Sequence, residues 1–84
     1  MARTVVYTRK AARALARMPA DAEALIRAKL DQVARDPASL ANNIRAMRGV
    51  PGYRLRVGDW RALFTSEDAT IIVHDVEPRG SVYE

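Results

Sequence analysis

Tyr53-Arg54-Leu55-Arg56-Val57-Gly58-Asp59-Trp60-Arg61-Ala62-Leu63-Phe64 decides the fold of this chain. Two runs of alternating character flank a Gly-Asp pair, and a two-residue loop between such runs favours a primed turn, whose twist matches that of the strands it joins. Loop length then sets the register. Val57 faces Trp60, Arg56 faces Arg61, Leu55 faces Ala62, Arg54 faces Leu63 and Tyr53 faces Phe64, with successive side chains on opposite sides. Tyr53, Leu55, Val57, Trp60, Ala62 and Phe64 form one apolar face, while Arg54, Arg56 and Arg61 share the other. Like charges directly across a sheet destabilise it by about 0.2–1 kcal/mol, so the Arg56–Arg61 pair calls for an anion. Guanidinium forks meet phosphate oxygens two at a time, and three of them on one sheet face read first as a site for a nucleic-acid backbone.

Downstream of the hairpin, residues 60–66 and 71–77 read as strands joined near Glu67-Asp68. Upstream, Gly49-Val50-Pro51-Gly52 is a turn signal, residues 44–47 suggest a short strand, and the stretch through Ser39 and Asn42-Asn43 reads as a loop. The N-terminal part is different. Thr4-Val5-Val6-Tyr7 is a short β-branched run ending at Thr8, a good helix N-cap. Residues 9–18 follow as a helix with Ala11, Ala14, Leu15 and Met18 on one side and Arg9, Lys10, Arg13 and Arg17 on the other. Pro19 breaks it, and Asp21 and Glu23 open a second helix whose apolar stripe, Ala22, Leu25, Ile26, Leu30 and Val33, ends near Asp36-Pro37. Strand, helical hairpin and then three or four strands make an α+β fold with a mainly antiparallel sheet. Such a sheet packs one face on the helices and leaves the other, here the arginine face, to solvent.

A chain of 84 residues supports one domain, taken as residues 1–84, with a single small core. Of its 14 cationic residues 12 are arginine, and the net charge of +4 favours polyanionic or acidic partners. Charge is also segregated. Residues 45–61 hold Arg45, Arg48, Arg54, Arg56 and Arg61 against Asp59 alone, whereas residues 66–77 hold Glu67, Asp68, Asp75 and Glu77 without a cation. Cysteine is absent, which excludes a disulfide framework and a thiolate site and fits the cytoplasm. No stretch reads as a signal peptide or a membrane span. One histidine and scattered carboxylates give no metal-ligand spacing, and no glycine-rich phosphate loop or cofactor motif occurs.

The run Tyr53-Arg54-Leu55-Arg56-Val57-Gly58-Asp59-Trp60-Arg61, together with the closing Arg79-x-x-Val82-Tyr83, resembles the RelE/ParE superfamily of toxin–antitoxin toxins. The likeness spans essentially the whole chain in its order of elements. It implies a toxin held inactive by a cognate antitoxin. In the RelE-like branch, which the resemblance favours, members cleave messenger RNA in the ribosomal decoding site. There, residues matching Arg54, Arg56, Arg61 and Arg79 hold the phosphate, and a tyrosine matching Tyr83 works at the cut. ParE-like members share the fold and poison DNA gyrase, and the motif does not separate the branches. The closing segment departs from the pattern, with Pro78-Arg79-Gly80-Ser81 where relatives often carry a second basic residue or a histidine.

Metal-free RNA cleavage of this kind lets the ribose 2′-hydroxyl attack the adjacent phosphodiester, so the protein must accept a proton, stabilise extra negative charge and assist the leaving oxygen. Arginine suits the second task and, with its very high pKa, neither of the others. Arg61 is the candidate transition-state clamp, and Arg54 and Arg56 position the phosphate. Tyr83 is the candidate base, or else a stacking platform for a flanking nucleobase. Arg45 and Arg48 read as peripheral phosphate contacts or a solvated loop, as does the cationic face of the first helix. The structural alternative for the hairpin arginines is a solvated edge with ion pairs to Asp75 or Glu77; Arg79 and Tyr83 could equally be surface and core residues. If Glu67-Asp68 forms the loop, Arg61 faces His74 and the imidazole joins the arginine face; a one-residue slip turns it inward. Trp60 has core parity.

Overall fold

Thr8 connects strand to helix by capping. Its backbone is extended, its hydroxyl oxygen accepts from the Ala11 N–H at 3.2 Å, and its own O–H donates to the His74 carbonyl at 3.0 Å. The computed structural model describes residues 3–78. Within it, β1 (Thr4–Tyr7) leads through Thr8 into α1 (Arg9–Ala16), and α2 (Ala20–Arg35) follows across Pro19. A 3-10 segment (Pro37–Asn43) then precedes β2 (Ile44–Ala46), β3 (Tyr53–Val57), β4 (Trp60–Glu67) and β5 (Thr70–Pro78). The α+β reading holds, with the four C-terminal strands antiparallel.

Two features were not anticipated. The stretch before β2, expected as a loop, is wound into 3-10 turns, where Pro37 supplies a preset φ at the start and the Ser39 hydroxyl donates to the Asp36 carbonyl at 2.8 Å. The first strand also joins the sheet, lying parallel to β5 with Val5 opposite Ile71 and Tyr7 opposite Val73, which gives the strand order β1-β5-β4-β3-β2. The α1-α2 unit is thus a crossover that carries the chain from one strand to another lying beside it in parallel.

The core lies between the helices and one sheet face. Ala11 and Leu15 of α1, Ile26, Leu30, Val33 and Ala34 of α2, and Leu55, Val57, Ala62, Phe64, Ile71, Val73 and Val76 of the sheet are all buried. Helical spacing explains α1, whose three cations stay exposed on the far side, as does Arg17 at its C-cap. Leu25, assigned to the α2 stripe by spacing, is 48% exposed, and Ala34 takes its place in the core. Trp60, Val5 and Tyr7 pack against the cluster from its margin. No helix among the described residues is long and apolar enough to cross a membrane.

Candidate functional site

Gly58 takes φ +56° at the first loop position while Asp59 stays at negative φ, the pattern of a type II′ turn, and the hairpin closes on Val57–Trp60. All five expected pairs are present, so Arg56 stands directly across from Arg61. On the other flank, Arg45 of β2 stands directly across from Arg54 of β3. Four guanidinium stems from three adjacent strands therefore share the open face of the sheet, with paired Cβ atoms about 4.5–5.5 Å apart.

Together with Asn42 and Asn43 they line a concavity of about 240 Å³. No carboxylate lines it. Among the described residues no ion pair engages any of the four arginines: Asp75 is bound by Lys10 at 3.4 Å, and the other bridge, Arg27 to Glu23, lies on α2. The expected ion pairing of the hairpin arginines with Asp75 or Glu77 is therefore not formed. Like charge gathered in a recess that no carboxylate lines favours an anion, and bidentate geometry favours one with several oxygens.

Arg45, read from sequence as peripheral, belongs to this cleft. Arg48 does not; it is exposed in the loop between β2 and β3, which closes through Met47 N–H donating to the Gly52 carbonyl at 3.0 Å. Arg79 and Tyr83 lie outside the described residues. The two asparagines were missed as site residues, because the stretch that carries them read as a loop and a loop has no register against β3.

His74 differs from the expected register. The β4–β5 loop is Asp68-Ala69, one residue later than read, because Glu67 still pairs with Thr70 and Asp68 accepts φ +49°, a conformation aspartate tolerates. Leu63 then pairs with Asp75 and Phe64 with Val73, which leaves His74 as the extra residue of a bulge. Arg61 faces Glu77 instead of His74. The imidazole is exposed, and its Nε2 lies 2.8 Å from Thr65 Oγ1, away from the arginine cleft.

A second concavity, about 370 Å³, is lined by Arg9, Lys10, Arg13 and Ala14 of α1, by Arg17 at its C-cap, and by Asp75 and Val76 of β5. Among the described residues no three His, Cys, Asp or Glu side chains gather as a metal site.

No family model matches the chain, and no curated protein matches it by sequence. Solved structures do match. A chain of the archaeal RelE–RelB complex of Pyrococcus horikoshii superposes with a TM-score of 0.80 at 22% identity, over 98% of this chain and 100% of that one. The isolated RelE toxin of Escherichia coli superposes with a TM-score of 0.78 at 17% identity, over 96% of this chain and 88% of its own. The chain has the RelE fold. A chain of the toxin–antitoxin complex RelBE2 of Mycobacterium tuberculosis gives 0.78 at 23% identity over 94% and 100%. Each of these superpositions covers at least 94% of this chain. Identities this low establish architecture and carry no residue's role across.

Proposed function

We propose that residues 1–84 are a single toxin domain of a type II toxin–antitoxin system, acting in the cytoplasm as a ribosome-dependent messenger-RNA endoribonuclease. The observation that carries this reading is the cleft of Arg45, Arg54, Arg56 and Arg61, which holds four donors and no carboxylate. RelE-fold neighbours are described as toxins or as parts of antitoxin–toxin complexes, and on that analogy a cognate antitoxin is the partner of this chain.

In this reading the scissile phosphate lies over the β3–β4 hairpin. Arg54, Arg56 and Arg45 hold its oxygens and those of its neighbours, and Arg61 stabilises the charge that builds when the 2′-hydroxyl attacks. Guanidiniums already gathered on one sheet face act best on developing charge where the ribosome excludes water. Arg48 is a peripheral contact to message or ribosomal RNA. Arg79 and Tyr83 complete the site from the C-terminal segment, with Tyr83 as proton acceptor or stacking platform.

Toeprinting of a translating ribosome with wild-type protein and with Arg61→Ala tests this, beside a gyrase supercoiling assay. Cuts in the A-site codon that vanish with Arg61→Ala are expected. Intact message with blocked gyrase would make the chain a ParE-type gyrase inhibitor without enzymatic activity, and intact message with active gyrase would leave the fold alone.

A further inference from the structure

The arginines of the cleft can only donate hydrogen bonds, whereas Asn42 and Asn43 can also accept. Asn43 is oriented. Its Nδ2 donates to the Arg56 carbonyl at 3.3 Å, and only the NH₂ end of an amide can meet a carbonyl oxygen. Oδ1 is thereby left as an acceptor, and among the described residues the Asn43 side chain makes no other hydrogen bond. It lines the cleft together with Arg45 and Arg56. Asn42 has no side-chain hydrogen bond among the described residues and is exposed, so nothing orients its amide.

An oriented acceptor among arginine donors does not suit a phosphate, whose oxygens are themselves acceptors. It suits a donor that accompanies phosphate. Along a nucleic-acid backbone that donor is the ribose 2′-hydroxyl, which DNA lacks. We propose that Asn43 Oδ1 accepts a hydrogen bond from a ribose 2′-hydroxyl of the strand held in the arginine cleft, so that Asn43 is the residue by which this cleft distinguishes RNA from DNA. The inference rests on the reading of the cleft as a phosphate-backbone site and adds recognition of the sugar to it.

The test is binding, without ribosomes, of wild type, Asn43→Ala and Arg45→Ala to three single-stranded oligonucleotides of one sequence bearing ribose, 2′-fluororibose or deoxyribose. The 2′-fluoro sugar keeps an RNA-like pucker and lacks the O–H donor. Wild type is expected to prefer ribose to 2′-fluororibose by roughly two- to ten-fold, the range of one neutral hydrogen bond. Asn43→Ala is expected to erase that preference by weakening the ribose complex alone, while Arg45→Ala weakens all three in parallel. Equal wild-type affinity for ribose and 2′-fluororibose overturns the inference, as does a preference that survives in Asn43→Ala, or no binding to any of the three. The wild-type comparison needs no variant, so a misfolded Asn43→Ala leaves the inference open to refutation. Toeprinting is independent of this outcome. Ribose selection by Asn43 with uncut message would remove the nuclease reading and keep the RNA reader; cut message with no ribose selection would do the reverse.

Discussion

Gly52 shows how closely the loop before the hairpin is fitted. Its φ is +126°, and a Cβ there would lie 2.8 Å from Met47 Cε and 3.0 Å from the Phe64 carbonyl oxygen. Met47 can swing away; the backbone oxygen cannot. Gly52→Ala is expected to lose about 2–3 kcal/mol in denaturant unfolding. Gly49→Ala, at φ +74° in open space, should lose about 1 kcal/mol. Tyr7 makes a second residue-scale prediction. Burial, reinforced by the Asp31 charge, raises its pKa above 10.0 against a smaller opposing effect of Arg27, whose guanidinium lies 4.7 Å from the ring centroid. The unfolded chain then releases this proton first, so Tyr7's share of the stability is complete below about pH 10 and falls as pH rises toward the higher folded value. Tyr7→Phe should flatten the decline of the unfolding free energy as pH rises above about 10. An identical decline in the variant would remove Tyr7 as its source.

The hairpin closed by Gly58-Asp59 was legible in the sequence, and the pairings that no such turn fixes were not. A two-residue Gly-Asp loop admits one register, and every pair from Tyr53–Phe64 to Val57–Trp60 followed from it. The β4–β5 loop offered no such constraint, since either Glu67 or Ala69 could share it with Asp68, and the bulge at His74 leaves no compositional mark. Arg45 entered the cleft only through β2–β3 pairing across a longer loop, which is why its sequence reading stayed peripheral. The Arg56–Arg61 pair also implies a conflict between stability and binding at the level of the hairpin. Arg56→Thr removes a like-charge contact and should raise stability by about 0.2–1 kcal/mol in low-salt buffer, while weakening nucleic-acid binding. Sulfate should stabilise the wild type more than the variant. Equal stabilisation of the two would mean that the cleft holds no anion.

For the whole molecule the decisive contact is the parallel pair β1–β5, which brings Thr4 beside Thr70. No turn signal records it, so the N-terminal run could be read as a strand without its partner being known. A contact of such sequence separation forms late when local hairpins can form first. Val5→Ala is therefore expected to speed unfolding several-fold with little change in the folding rate, whereas Leu55→Ala, fully buried in β3, should slow folding. Stopped-flow kinetics decides between this order and one in which both substitutions act alike. Charge is the other property of the whole. Single-strand binding through the four-arginine cleft should fall with salt at a slope of about −2 to −3 in log–log form, with each arginine removed taking away about 0.7.

The sheet ends on β2, three residues long, and among the described residues no strand covers its outer side. A bare edge invites another copy to add its own strand, and a charge on a short edge strand is a recurrent deterrent. Arg45 is that charge. If the cleft takes an anion, as proposed, the same guanidinium serves as ligand contact and edge charge, and a filled cleft would weaken the deterrent to pairing between copies. Light scattering should therefore rise on titration with a polyphosphate too short to bridge two molecules. Colloidal stability and occupancy of the cleft would then be opposed.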